Sequence, residues 1–377
     1  MTQEAATGRV SSLETGGAAE VPQSEPEPES ARNRLFDTAE RFWSWLFLLA
    51  LLVIFSIFGR GFFDLFNFQS ILANAAIGMI MALGLTFVII AGGIDLSVAY
   101  VMGLASVMSA IAMRTLGAQA PLFVVVLAGL AVGLLAGAVS GLVNGILVAR
   151  FRVPPFIGTL GTYGVAQGAA FLLSGGQPVT VQINGLGQIG NGSLLYFHPS
   201  TGFTFFNQPP GLSGAELRSI VSILPHPLTL MIVMIAISWW LLARSRFGQH
   251  TYAIGGNTEA ALRAGVPVRR HTILIYLLSA EFAALAGVLY TTRFTNGAAP
   301  AGEPLLLNAI AAVVIGGVSL FGGAGTITGT VIGGLIIAVI QNGLVIMAIN
   351  PFWQYISVGV VIILAVLVDQ AKARIAQ

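Results

Sequence analysis

From Phe42 to Val368 the chain runs through one apolar block after another, separated by short polar or glycine-containing interruptions. A helix needs about 20 residues to cross roughly 30 Å of hydrocarbon. Ten blocks approach or exceed that length: 42–58, 71–91, 94–113, 121–149, 154–173, 226–243, 272–291, 305–321, 328–348 and 352–368. They are continuously apolar rather than alternating, which predicts helices and not a β-barrel. Charge leads to the same place: 8% of residues are charged and 56% hydrophobic, against roughly 25% charged in soluble domains. So few charges cannot clothe a soluble surface. The expected fold is an all-α polytopic membrane protein of about ten transmembrane helices. A soluble enzyme, a disordered chain and a nucleic-acid binder are excluded, the last also because the net charge is only +2. The overlong fourth block predicts either a tilted helix or a helix with a re-entrant part.

Residues 1–40 are of different material, holding seven Glu and the stretch PQSEPEPE. Such a segment buries too little apolar area to offset its ordering entropy and is expected to be a disordered tail. The expected organisation is therefore a tail over 1–40, a membrane domain over 41–370 and a short C-terminal tail over 371–377. Lys and Arg then orient the domain. With the N-terminus in the cytoplasm, inner segments carry thirteen (Arg9, Arg32, Arg34, Arg41, Arg150, Arg152, Arg244, Arg246, Arg263, Arg269, Arg270, Lys372 and Arg374) and outer segments four (Arg60, Arg114, Arg218 and Arg293). Both termini are expected on the cytoplasmic side. There is no Cys, and the four His have no metal-ligand spacing, so no metal site is expected.

The chain contains 46 Gly. In LAGLAVGLLAGAVSGLVNGILVA, Gly129, Gly133, Gly137, Gly141 and Gly145 recur every four residues on one helix face, a ridge that lets a second backbone approach closely. Polar groups inside the blocks are few: Asn74, Asp95, Asn144, Tyr163, Gln167, Glu281, Asn308, Gln341 and Asn342. A charge at mid-membrane costs roughly 2.5–3.5 kcal/mol on insertion scales, so such groups face a partner or a watery path. Asn74, Asp95, Asn144, Glu281, Asn308, Gln341 and Asn342 are therefore candidate pathway-lining groups. For Asp95, in AGGIDLS, a helix cap is the competing reading. For Glu281, in IYLLSAEFAALAG, it is a hydrogen bond to a neighbouring helix.

The most charged internal segment is ARSRFGQHTYAIGGNTEAALRAGVPVRRH, residues 243–271, with the loop itself over 244–271. Asn257 and Thr258 offer capping oxygens, Glu259 to Arg263 can form one short helix, and Gly265 with Pro267 stops it. A short exposed helix between two spans could dock a cytosolic partner or serve only as a positive anchor. The single lysine, Lys372, stands outside any GxxxxGK[ST] sequence, so the chain has no P-loop. Any ATP hydrolysis belongs to another polypeptide.

Several stretches together resemble the permease subunits of bacterial ABC importers for monosaccharides, the ribose/xylose/fructose type. They are AGGIDLSVAYVMGLASVMSA (91–110), NGILVARFRVPPFIGTLGTYGVAQGAAFLLSGGQPV (144–179), YAIGGNTEAALRAGVPVRR (252–270), NAIAAVVIGGVSLFGGAGTITGTVIGG (308–334) and NPFWQYISVGVVIILAVLVD (350–369). The resemblance implies a ten-span subunit of the inner membrane that pairs with a second permease copy around a central pathway. ATP-binding-cassette subunits, which hold ATP and magnesium, dock on the cytoplasmic side, while a periplasmic or lipid-anchored binding protein delivers the sugar. This chain itself is then neither an enzyme nor a cofactor carrier. The resemblance assigns ATPase coupling to Gly255, Gly256, Asn257, Glu259, Ala260, Arg263 and Gly265. It also departs from the family pattern at Ala99, where Gly is usual, and at Glu281. The long external segment 174–225 is expected either to cap the bundle near the binding protein or to fold down onto the helices. The rival reading from the residues is a proton-coupled transporter using Glu281 and Asp95.

Overall fold

The computed structural model describes residues 31–117, 119–208, 213, 220–350 and 352–375. The expected tail over 1–30 and much of 209–219 lie outside these. The chain divides into residues 1–42 and 43–377, and the bundle belongs to the second unit.

The helices, in chain order, are α1 (Ala31–Phe58), α2 (Leu65–Ile90), α3 (Val98–Leu116), α4 (Leu122–Ala149), α5 (Pro155–Ser174), α6 (Leu186–Asn191), α7 (His226–Arg244), α8 (Arg246–Gly256), α9 (Thr258–Arg263), α10 (Val268–Phe294), α11 (Glu303–Ile315), α12 (Ile327–Ile346) and α13 (Phe352–Ile375). Among the described residues, seven helices are long and apolar enough to cross a membrane, and three shorter apolar stretches lie in α1, α11 and α13. Each of the ten expected blocks coincides with one of these ten. The fold is a polytopic helical membrane bundle.

Several boundaries need correction. The first helix begins at Ala31, so residues 31–40 are helical instead of tail. No proline lies between Pro28 and Pro121, and Ala31–Glu40 supplies helix formers such as Ala, Arg, Leu and Glu that extend the apolar segment upstream. At the other end α13 continues to Ile375, so most of the expected C-terminal tail is helix as well. The overlong fourth block is one uninterrupted helix of 28 residues without a re-entrant part.

Non-helical backbone inside the bundle lies elsewhere. The block 305–321 yields a helix of only 13 residues, α11. It is reached through a short strand, β5 (Asn296–Gly297), and a 3-10 turn, Ala299–Gly302. This non-helical stretch runs back along α3. A Cβ on Gly103 would stand 1.9 Å from the Ala299 carbonyl oxygen, and one on Gly302 would stand 2.1 Å from that of Ala99. Irregular backbone is tolerated at membrane depth only when protein covers it. Gly297, Ala298, Ala299 and Gly302 are all buried, and the Ala298 N–H donates to Ser106 Oγ at 3.1 Å.

The expected all-α class also needs one addition, because the segment 174–225 carries short strands. These are β1 (Val179–Thr180), β2 (Ser193–His198), β3 (Gly202–Phe205) and β4 (Val221–Pro225). They form an antiparallel sheet in the order β3-β2-β4 and a separate β1–β5 pair. Leu195 stands opposite Phe205 on one side and Ile223 on the other. This sheet caps one end of the bundle, with α6 seated against α10: a Cβ on Gly190 would stand 2.4 Å from Thr292 backbone atoms. We call this the sheet end and the opposite one the α9 end.

The core forms where α2, α3 and α10 meet. Ile80, Leu83, Leu85 and Phe87 of α2, with Val101 and Met102 of α3 and Ala283 of α10, have no exposed surface. The glycine ridge of α4 faces this core. Cβ atoms on Gly129, Gly133, Gly137, Gly141 and Gly145 would lie 2.2–2.7 Å from Met113, Val288, Ala284, Leu277 and Ile273 respectively. Close backbone approach is a source of helix attraction where lipid removes the hydrophobic one.

Candidate functional site

At the α9 end, α8 and α9 turn the expected loop into two helices. Ser245 caps α8 by accepting from the Phe247 N–H at 3.0 Å, and α8 buries Thr251 and Ile254. Sequence reading found only the second helix. The signal for the first was present in Ser245 followed by Phe247, Thr251 and Ile254 at helical spacing. Asn257 caps α9 by accepting from the Ala260 N–H at 2.9 Å. Thr258 instead donates back to the Ile254 carbonyl at 2.8 Å. Gly265, at φ +83°, provides the left-handed residue that ends the motif.

Within α9 only Ala261 is buried. Glu259, Ala260, Leu262 and Arg263 face outward, Leu262 with 60% of its surface exposed. Glu259 and Arg263 join in an exposed i, i+4 ion pair of 2.7 Å, which fixes side-chain geometry but adds little stability. The helix is therefore held by its cap and one buried alanine, and it presents a mixed apolar and charged face.

Behind it, three backbone segments meet with no side chain between them. A Cβ on Gly255 would stand 1.8 Å from the Ile90 carbonyl oxygen and 2.6 Å from the Gly323 nitrogen. The Gly323 N–H donates to that same Ile90 oxygen at 2.8 Å. A Cβ on Gly323, itself at φ +76°, would meet Gly256 Cα at 2.9 Å. The Tyr252 hydroxyl donates to the Gly325 carbonyl at 2.6 Å, and burial pushes its phenol above the usual range, so it stays a donor. A displacement of α8 and α9 thus reaches the ends of α2 and α12 through rigid backbone contacts. A cavity of about 850 Å³ opens beside this junction, lined by Gly93, Ala149, Ile254, Leu262, Ile275 and Tyr276, with Arg152, Arg269 and Arg270 among its walls.

Asp95 and Asn144 come together in one buried network. Asp95 is fully buried; its Oδ1 accepts from the Ser97 N–H (3.0 Å) and hydroxyl (2.6 Å), and its Oδ2 from the Ser279 hydroxyl (2.9 Å). Asn144 Nδ2 donates to Ser97 Oγ at 2.8 Å. The cap position of α3 is Ser97 rather than Asp95, whose carboxylate instead satisfies a backbone donor at the start of that helix. Among the described residues, Asn144 Oδ1 and the Tyr276 hydroxyl are buried and have no hydrogen-bond partner. The network ties α3 to α4 and α10. Replacing Asp95 by alanine would strand three buried donors at about 1–3 kcal/mol each before relaxation. We expect Asp95→Ala to lower the thermal midpoint of the purified protein by at least 5 °C, with Asp95→Asn in between. A midpoint unchanged by Asp95→Ala would contradict this role.

The other candidates are scattered. Asn74 sits at the sheet end, where its Oδ1 accepts from Arg293 Nη2 at 2.5 Å while Arg293 Nη1 reaches the Ala73 carbonyl at 2.7 Å. Asn342 donates to Asn67 Oδ1 at 2.9 Å and joins α12 to α2. Gln341 and Glu281 are partly exposed and make no hydrogen bond among the described residues. Glu281 lies two residues past Ser279, about 200° around the helix, so it points away from Asp95 and cannot relay a proton to it directly. Asn308 lines a cavity of about 270 Å³ with Glu303, Pro304, Leu307, Tyr355 and Val358.

Sequence reading missed Glu303 and Tyr100. Their signal was the run NGAAPAGEP, residues 296–304, which leaves α11 only 13 residues, Glu303–Ile315, too short to span as helix from end to end.

A family model described as "Branched-chain amino acid transport system / permease component" matches residues 67–366. The chain belongs to this family of transport permeases. It is 38% identical over 347 residues to the ribose import permease protein of Bacillus subtilis, covering 92% of this chain and 98% of that one. The fructose import permease protein of Rhizobium meliloti is 36% identical over 329 residues, covering 87% and 84%. The galactose/methyl galactoside import permease protein of Haemophilus influenzae is 35% identical over 350 residues, covering 90% and 97%. No solved structure matches the chain. Permease membership accounts for the helical bundle.

Proposed function

We propose that this chain is the membrane-spanning permease of an ATP-driven monosaccharide importer. The observation that carries the reading is its near full-length likeness to import permeases for ribose, fructose and galactose. The chain performs no catalysis. ATP and magnesium belong to separate ATP-binding-cassette subunits, in keeping with the missing P-loop.

Those subunits dock on α9 and its flanks, through Gly255, Gly256, Asn257, Glu259, Ala260, Arg263 and Gly265. The α9 end is then cytoplasmic, as are both termini. In support, it gathers Arg150, Arg152, Arg244, Arg246, Arg263, Arg269 and Arg270 at helix ends, while the sheet end has Arg60, Arg114 and Arg293. The sheet end faces the binding protein and offers exposed Phe203, Phe205 and Phe206. A second copy completes the pathway along α5. Cβ atoms on Gly161, Gly164 and Gly168 of that helix would meet nothing within 4 Å, whereas those on the α4 glycine ridge would all meet neighbours.

Transport is alternating access. Nucleotide binding changes the contacts that α9 makes, and a partner shifts the equilibrium between two states only by its differential affinity for them. Vesicles holding this chain, its ATPase and ATP, supplied with the sugar-loaded binding protein, are expected to accumulate sugar; omitting any component should abolish it. Accumulation driven by a pH gradient with this chain alone would overturn the reading.

A further inference from the structure

Glu303 opens α11 deep within the bundle. Asn144 bonds to Ser97, five residues from the end of α4, and Tyr100 lies one helical turn beyond Ser97. At 1.5 Å per residue, Tyr100 stands roughly 12 Å inward from the end of α4; that helix exceeds a 30 Å hydrocarbon layer by about 12 Å, so Tyr100 lies inside the layer, in its half nearer the α9 end. The Tyr100 hydroxyl donates to Glu303 Oε2 at 3.0 Å, which fixes the carboxylate at the same depth. Yet Glu303 is exposed, and among the described residues the one ion pair is Glu259–Arg263. An unpaired carboxyl group at this depth belongs against water, not lipid.

Its neighbours give that water-facing spot a chemical character. Gln167 Nε2 donates to the Tyr100 hydroxyl at 2.9 Å, so the amide on α5 and the carboxylate on α11 are both held by one tyrosine. Tyr163 sets its ring edge-on to Tyr100, with centroids 4.6 Å apart. Glu303 Oε1, Gln167 Oε1 and the Tyr163 hydroxyl take no hydrogen bond from the described residues, and all three residues keep exposed surface. Acceptors spaced around an aromatic ring suit a neutral polyhydroxylated ring, whose hydroxyls donate to the oxygens while its C–H face rests on the aromatic surface.

We propose that Glu303, Gln167 and Tyr163 form a contact within the membrane domain for the sugar in transit, with Tyr100 as the positioning residue. The inference rests on the importer reading and adds to it a place where the permease itself touches cargo. Such a contact must be weak, since a solute that binds tightly along a pathway does not leave it.

The absence of cysteine makes the chain its own background for labelling. In the full complex, Glu303→Cys is expected to react with a membrane-impermeant thiol reagent, while Leu364→Cys on α13 stays inert. Uptake of radiolabelled ribose, fructose and galactose by the wild-type complex first identifies the sugar carried. Glu303→Gln and Tyr163→Ala are then expected to cut its maximal uptake about fivefold or more, while ATPase stimulation by the loaded binding protein stays within about twofold of wild type. Fewer sugars would cross per ATP, which a merely destabilised complex would not show. An unreactive Glu303→Cys, or wild-type uptake by both variants, overturns the inference alone. A wild-type complex that accumulates none of the three sugars instead sinks the importer reading, and the inference falls with it.

Discussion

Gly103→Val is expected to prevent the non-helical segment 296–302 from docking and to remove most properly folded protein from the membrane fraction. The Cβ that any larger residue brings would lie 1.9 Å from the Ala299 carbonyl oxygen and 2.9 Å from its carbon. Both are backbone atoms, so no rotamer change relieves the clash. The segment must leave α3, taking the Ala298–Ser106 hydrogen bond with it and uncovering backbone polar groups at membrane depth. Overpacking alone costs about 1–3 kcal/mol, and exposed backbone groups add to that. The apparent melting midpoint should fall by about 10 °C. Gly161→Ala provides the control, since its Cβ meets nothing within 4 Å and the monomer should tolerate it. The check is size-exclusion recovery and thermal unfolding of the detergent-solubilised protein. A Gly103→Val protein with the wild-type midpoint would show that the segment does not seat as described.

The second large effect falls on coupling, with stability spared. Leu262→Asp combined with Arg263→Glu is expected to lower ATP-driven uptake and stimulated ATPase activity at least about tenfold. The melting midpoint should stay within about 2 °C, because both side chains are exposed and Ala261 carries the burial of α9. Loss of an apolar anchor and reversal of a charge at a docking face each reach the 1.4 kcal/mol that makes a tenfold change in affinity. Co-purification of the ATPase with the double variant measures the docking directly. Normal coupling in this variant would place the ATPase contact elsewhere. Gly255 belongs to the same pathway of motion but fails differently: a side chain there strikes Ile90 and Gly323 backbone, so Gly255→Leu should damage the fold as well as coupling.

How much of this was legible in sequence depends on what kind of physics each feature obeys. The ten apolar blocks, the short helix capped by Asn257 and the four-residue recurrence of Gly129 through Gly145 rest on local pattern, and a single chain displays local pattern directly. The start of α1 at Ala31 was misjudged because ten residues, six of them polar, next to an apolar helix can continue it, which composition alone does not reveal. Helix α8 was overlooked because its polar face and Gly248 mask a helical spacing that only burial against the bundle makes plain.

Sequence by itself determined that this chain lives in lipid, that it crosses with helices and that it has no nucleotide-binding loop of its own. Each follows from residue chemistry that holds whatever the neighbours are. Tertiary structure alone decided which polar groups belong together: Asp95 with Asn144 and Ser279, Asn74 with Arg293, Glu303 with Tyr100 and Gln167. The hydrogen-bonded residues in these groups that lie on different helices are 47 to 219 residues apart in the chain. No periodicity reports such a distance, because the pairing is set by how helices stack and by where a glycine lets one backbone meet another.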